Sequence, residues 1–257
     1  MKCKNCNAIV RKNFCYTCGQ SVRVGKITYK SILGDLFQGI FYIKNGFLFT
    51  LKALFVRPGE VIHAFLDGQR KRYFKPVVYV LILSTFHYLI VHWVGDSTWI
   101  ESLISGMMEN VNSSINITVG NKKPKIPDVF IWFSKNYAYL TLLSVPLFSL
   151  ASWLAFLGLK AIYFEHFVLN LYTTGQQAII YAFFTLIYAS FKSDFLESLS
   201  SIIAILYVFV VFWKFFKSEN RILNILRTII AYIIYAIVSM AILVTIFILN
   251  QPENYLQ

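Results

Sequence analysis

Residues 226–249 read LRTIIAYIIYAIVSMAILVTIFIL. After Arg227 this stretch contains no charged residue. About 20 residues of helix, rising roughly 1.5 Å each, cross the hydrocarbon of a bilayer. The stretch is long enough and too apolar to sit comfortably in water. Four further segments have the same character, at 76–94, 137–159, 167–191 and 199–216, and none carries a charge in its central part. Composition agrees with a lipid solvent. Of 257 residues, 57% are hydrophobic and only 14% are charged, where a soluble domain has about a quarter charged. The expected fold class is an all-α polytopic membrane protein of about five transmembrane helices.

The charges are unevenly placed. Residues 1–75 hold fourteen of the 24 Lys and Arg against Asp35, Glu60 and Asp67, a net of 14 − 3 = +11. The rest of the chain is nearly neutral. Basic residues collect in cytoplasmic loops, so the N-terminal head is expected inside. The 95–136 connection balances Lys122, Lys123, Lys125 and Lys135 against Asp96, Glu101, Glu109 and Asp128, and fits the outside. Lys160–His166 returns inside and Lys192–Ser198 lies outside. Lys214, Lys217, Arg221 and Arg227 mark the last inner loop, which leaves the tail 250–257 outside. The N-terminus lacks a short apolar run, so no signal peptide is expected.

The chain opens with the pattern Cys3-x2-Cys6-x8-Cys15-x2-Cys18-Gly19, and its four cysteines all lie there. Two Cys-x-x-Cys knuckles let four thiolates converge tetrahedrally on one Zn²⁺. Such clustering indicates a metal site in a reducing compartment, not a disulfide framework. Gly19 and Asn7 occupy equivalent places after the two knuckles, where a turn with positive φ is expected. Four sulfurs leave no open coordination position, so the zinc is expected to be structural. Residues 1–22 then form a zinc ribbon, and 23–75 a basic amphipathic segment on the membrane surface.

Within that segment, 35–55 is long enough to be a sixth span. Lys44, however, would sit near the bilayer centre, at a cost of about 2.5–3.5 kcal/mol. Amphipathic helices in the inner interface, broken at Lys44–Gly46, are expected instead. Arg57 and the run Arg70, Lys71, Arg72 and Lys75 are candidates for contact with anionic lipid headgroups. The run could equally be a topology determinant alone, and nothing in it is spaced like a nucleic-acid reader.

Asn170, Thr173, Thr174 and Gln177 share one face of the third span, with Gln176 beside them. A lipid-facing amide is costly, so this face should meet another helix or a wet cavity. Interhelical hydrogen bonding and a solute pathway are both open. Pro146 is expected to kink the second span. His87 and His92, five apart, suit buried hydrogen bonding better than metal ligation. Glu165–His166 is an acid beside a base at a membrane edge. No Ser/His/Asp set or phosphate-cradling glycine loop is visible, so there is no positive case for an enzyme.

Three stretches occur in order. They are the knuckles ending Cys18-Gly19-Gln20, then Lys44-Asn45-Gly46-Phe47-Leu48-Phe49-Thr50-Leu51-Lys52, then Arg57-Pro58-Gly59-Glu60-Val61-Ile62 continuing to Phe65-Leu66-Asp67-Gly68-Gln69-Arg70-Lys71-Arg72-Tyr73-Phe74-Lys75-Pro76. Over about residues 3–90 the chain resembles a family of bacterial zinc-ribbon membrane proteins known only as a domain of unknown function. The resemblance implies a bacterial inner-membrane protein with a cytoplasmic ribbon. It implies no substrate and no catalytic residue. Three functions follow as expectations: a scaffold or regulator whose ribbon docks a cytoplasmic protein, a small-molecule or lipid transporter using the third-span face, and a lipid-modifying enzyme using Glu165 or His166. A homo-oligomer could supply the missing half of so short a transporter.

Overall fold

The computed structural model describes residues 1–11, 13–22, 24–25, 46–95, 106, 132, 136–217 and 220–249. Among these, seven helices follow a small N-terminal knuckle unit, and the only strand-like pairings are the bridges Lys2–Ile9 and Phe14–Ser21. The helices are α1 (Phe47–Val56), α2 (Pro58–Leu66), α3 (Pro76–Val94), α4 (Tyr137–Ala155), α5 (Tyr163–Phe191), α6 (Asp194–Phe215) and α7 (Arg221–Leu249). Each of the five expected apolar segments overlaps one of α3 to α7, but α4 stops at Ala155, short of 159, and α5, α6 and α7 start four to five residues earlier than expected. The 95–136 connection and the tail 250–257 lie outside the described residues, apart from Gly95, Gly106, Trp132 and Asn136.

Among the described residues, four helices are long and apolar enough to cross a membrane: Pro76–Val94, Ala138–Ala155, Ser198–Phe215 and Arg221–Ile246. Their apolar side chains split between a packed interior and an exposed outer surface. On α7, Ile229, Ile233 and Ile237 point outward, which suits lipid and not water. The expected third span, α5, is not among the four, because its polar residues dilute its apolar character. It is nevertheless 29 residues long, about 43 Å of helix.

Side-chain contacts order the helix ends. Tyr172 of α5 donates to the Phe74 carbonyl just before α3 (2.6 Å), and Ser152 near the end of α4 meets His166 at the start of α5 (3.0 Å). Asn224 at the start of α7 donates to the Phe216 carbonyl at the end of α6 (2.8 Å), and Phe156 stacks on Phe216. The helices therefore alternate in direction, and α5 runs from the end that carries the knuckle unit to the opposite end. The inner faces meet in one apolar cluster that includes Leu54, Ile62, Phe65, Tyr79, Leu169, Tyr172, Val208 and Phe212.

Helices α1 and α2 form a hinged pair against this bundle. Residues 35–45 lie outside the described residues, but α1 begins at Phe47, just beyond the expected break. Pro58 occupies the first position of α2, where its missing N–H harms nothing. Gly59 is required by close approach: a Cβ there would lie 2.5 Å from the Lys214 carbonyl oxygen and 2.6 Å from its carbon. The N-terminus of α2 thus presses on the backbone at the end of α6. His63 Nε2 reaches the Phe215 carbonyl at 2.9 Å, and its ring stacks on Phe215 at 4.3 Å. A carbonyl can only accept, so His63 carries its proton on Nε2. Lys214 Nζ donates to the Val56 carbonyl in return. These bonds satisfy groups that a helix end would leave orphaned.

Candidate functional site: a four-cysteine centre seated on a basic loop

The four cysteine sulfurs lie within 4.8 Å of one another, and among the described residues they are the only such group of metal-ligating side chains. The Cys3–Cys18 and Cys6–Cys15 sulfurs are 3.7 and 3.5 Å apart. A tetrahedron with Zn–S bonds near 2.3 Å has edges of about 3.8 Å, so the residues fit a metal ion. Both knuckles fold as their sequence requires. Asn7 and Gly19 have φ of 59° and 69°, and their N–H groups donate to the carbonyls of Cys3 and Cys15 at 2.9 and 2.8 Å.

The backbone prepares the sulfurs for a cation. N–H groups of Asn5 and Cys6 stabilise the Cys3 thiolate and lower its pKa. Those of Cys18 and Thr17 bring Cys15 down to about 6. Cys6 behaves differently. Although the Ala8 N–H favours its thiolate, desolvation and the other three sulfurs push it up to about 12. Thiolates gathered in so small a space need a positive charge among them, which a bound divalent ion would supply.

The unit is not free-standing. Gln20, only 4% exposed, inserts its amide between three backbone groups of the loop after α2. Its Nε2 donates to the Gly68 carbonyl at 2.7 Å, and the Arg70 and Lys71 N–H groups each donate to its Oε1 at 3.1 Å. Asn5, inside the first knuckle, accepts from the Arg72 N–H at 3.0 Å, and Arg70 Nη2 donates to the Gly25 carbonyl at 2.8 Å. Gly68 has φ +112°, and a Cβ there would lie 2.9 Å from the Lys4 side chain. The basic run, a candidate for headgroup contact or for a topology determinant alone, spends much of its backbone on the knuckle unit.

Its side chains sort by type. Tyr73 and Phe74 are buried, and Phe74 packs edge-on against Phe47 at 5.4 Å. Lys71 and Arg72 stay exposed, with the Arg72 guanidinium 5.3 Å from the Phe49 ring centre. Lys75 is half-buried. Arg57 stands apart at the α1–α2 hinge, half-exposed and 3.9 Å from Glu60. It belongs to the same end of the molecule but not to the same cluster.

The polar face of α5 is drawn into helix contacts. Asn170 donates to Ser149 and Ser152 at 3.1 Å each. Gln176 donates to the Leu51 carbonyl at 2.9 Å and accepts from Tyr79 Oη at 2.9 Å. Gln177 reaches the Ala204 carbonyl at 3.2 Å. Thr173 bonds within its own helix, to the Leu169 carbonyl, and Thr174 is half-buried beside it. Glu165 and His166 part company: Glu165 accepts from the Ile162 N–H at its own helix start, while His166 is fully buried against Ser152. His87 is buried near Tyr181, whereas His92 is exposed and lies against Tyr88. Helix α4 continues through Pro146, whose carbonyl accepts from Tyr163 Oη at 3.3 Å.

The stretch that forms α1, α2, the basic loop and the first part of α3 has a counterpart elsewhere. Residues 45–87 match the model of a family described as "Protein of unknown function (DUF3667)". That match is narrower than the expected 3–90 and leaves out the knuckles. It contains Gly59 and Gly68, the two glycines pressed by α6 and by Lys4. No curated protein and no solved structure matches the chain.

Two arrangements escaped the sequence. Gln20 and Asn5 carried no motif pointing to the loop 50 and 67 residues away. Ser149 and Ser152 lie in an apolar helix, and only folding brings them to His166 and Asn170. That Ser–His contact is buried throughout, so it reads as a fastener between α4 and α5.

Proposed function

We propose that this chain is a membrane-embedded scaffold or regulator whose zinc ribbon presents a docking surface to a cytoplasmic protein. The observation that carries the reading is the ribbon's outer side. With Gln20 and Asn5 turned toward the bundle, Ile9, Phe14 and Tyr16 stand 66, 65 and 81% exposed. Residues 1–25 contain Lys2, Lys4, Arg11, Lys12 and Arg23 and no acid. A small unit held rigidly at a surface, with aromatic and aliphatic tips among basic residues, suits an acidic partner with an apolar patch. The closed four-sulfur set supports a structural metal, and a donor set made wholly of thiolates favours zinc.

A photo-crosslinking residue placed at Met1 in the full-length protein tests this in native membranes. The expected result is a discrete crosslinked protein, lost in Phe14→Ala/Tyr16→Ala at unchanged metal content. Capture of the same protein by that variant, or of nothing by wild type, would remove the docking role.

The membrane reading is five spans, α3 to α7, in a bacterial inner membrane with the ribbon inside. It is supported by the alternation of the helices and by Lys75, Lys160, Lys214, Lys217, Arg221 and Arg227, which share the ribbon's end. Helix α5 is the third of these spans, with its amides turned inward. A reporter enzyme active only outside the cell, fused after Gln257, is expected to be active, and the same reporter fused after Lys217 inactive. The reverse pattern, or activity at both, would overturn the orientation.

A further inference from the structure

The residues that seat the ribbon are not its metal ligands, yet each is fastened to one. Asn5 lies between Cys3 and Cys6, and Gln20 follows Cys18 by two. The Cys15 N–H donates to the Gln20 carbonyl at 2.8 Å, and the Asn5 N–H is one of the groups turned toward the Cys3 sulfur. The ribbon's own core is small: Cys3, Val10 and Cys15 are its buried apolar residues, with Ala8, Cys18 and Val22 packed beside them. So few apolar groups cannot hold two knuckle turns together, and metal binding supplies the folding free energy of such units. The carboxamide of Gln20 reaches Gly68, Arg70 and Lys71 together only while the second knuckle keeps its turn.

From this coupling we infer that the ribbon is a metal-dependent clamp on the basic loop. With metal bound, Gln20 and Asn5 hold the backbone of residues 68–72 against the ribbon. When the metal leaves, the knuckles open, the four loop contacts are lost together, and the 68–75 run separates from the ribbon. Coupling of this kind is reciprocal: whatever factor metal adds to docking, docking adds to metal affinity. Gln20 therefore tunes metal binding without touching the metal. The clamp stands independently of any protein partner.

The test uses the full-length protein in lipid nanodiscs under reducing conditions, with zinc itself as the probe. Backbone hydrogen exchange is followed at Arg70, Lys71 and Arg72, and zinc affinity by competition with a chromophoric chelator. Gln20→Ala is expected to speed exchange at Arg70 and Lys71 and to weaken zinc binding, both by about tenfold, within the usual span of coupled sites. Asn5→Ala should act on Arg72 and also weaken zinc. Asn13→Ala, exposed on the ribbon, should change neither quantity. Chelated wild type should show fast exchange at all three amides while the helices stay protected, which separates release from unfolding. Unchanged protection of Arg70–Arg72 after chelation would overturn the clamp. So would a Gln20→Ala protein whose loop loosens while its zinc affinity stays at the wild-type value.

Discussion

Cys15→Ser/Cys18→Ser protein is expected to lose its metal entirely, falling from about one ion per chain to none, as elemental analysis of the purified protein would show. The same change should open residues 1–25 to proteolysis, while the melting of the helical bundle shifts little. The reasons are local. Half the donor set disappears, and the two remaining sulfurs cannot complete a tetrahedron. The ribbon's few buried groups cannot replace roughly 10–16 kcal/mol of metal-linked folding free energy. The bundle has its own interior, built from Leu54, Ile62, Tyr79, Tyr172 and Phe212 among others, and does not depend on the ribbon for it. A variant that keeps stoichiometric metal, or one whose bundle collapses with the ribbon, would contradict this account.

The second large effect is expected at Gln176. Leucine there conserves most of the volume but removes both ends of a bridge between α5, α1 and α3. Gln176 is fully buried. Its loss leaves the Leu51 carbonyl and the Tyr79 hydroxyl facing an apolar substitute. Each buried group left without its partner costs about 1–3 kcal/mol. Gln176→Leu is therefore expected to destabilise the bundle by about 2–4 kcal/mol in a reversible detergent unfolding series. Gln177→Leu, which removes a longer bond to the Ala204 carbonyl and a contact with Tyr232 from a half-buried side chain, should cost less than Gln176→Leu, because bonds of this kind in membranes contribute about 0.6 kcal/mol each on average. Tyr79→Phe combined with Gln176→Leu should cost less than the sum of the two, because they share a bond. Equal effects at 176 and 177, or full additivity with Tyr79, would mean that the bridge is not a fastener.

The same bridge bears on how α5 is to be understood. Along the chain, Asn170, Thr173, Thr174 and Gln177 form a stripe that fits a pathway as well as a seam. Folded, the stripe divides. Asn170 goes to two serines of α4, Gln177 to the backbone of α6, and Gln176, from the edge of the stripe, joins α1 and α3. The helix that looked least like a span is the one that contacts α3, α4 and α6 at once. Its amides tie it to neighbours where apolar packing alone would leave register loose.

The basic run behaves alike at the other end of the molecule. Seven residues from Gln69 to Lys75 look like a strip of charge awaiting an anion. Tyr73 and Phe74 instead anchor the strip to the bundle, and its peptide N–H groups at 70, 71 and 72 belong to Gln20 and Asn5. Charge remains on the surface through Lys71 and Arg72, because ribbon seating takes the backbone of these residues and leaves their side chains exposed.

The apolar helices and the four-cysteine centre were legible in the chain alone, because both rest on local rules. A run of about 20 apolar residues selects a helix in lipid wherever it stands. Two Cys-x-x-Cys knuckles with Asn7 and Gly19 behind them carry their own turns. What the amides do became visible only in the packed molecule. A glutamine has one donor end and one acceptor end, and nothing nearby in the chain says which carbonyl or N–H it will meet. Gln20 meets Gly68 only because the ribbon packs on the loop after α2, and Gln176 meets Leu51 and Tyr79 only because α1 and α3 fold back onto α5 and bring those groups within hydrogen-bonding reach.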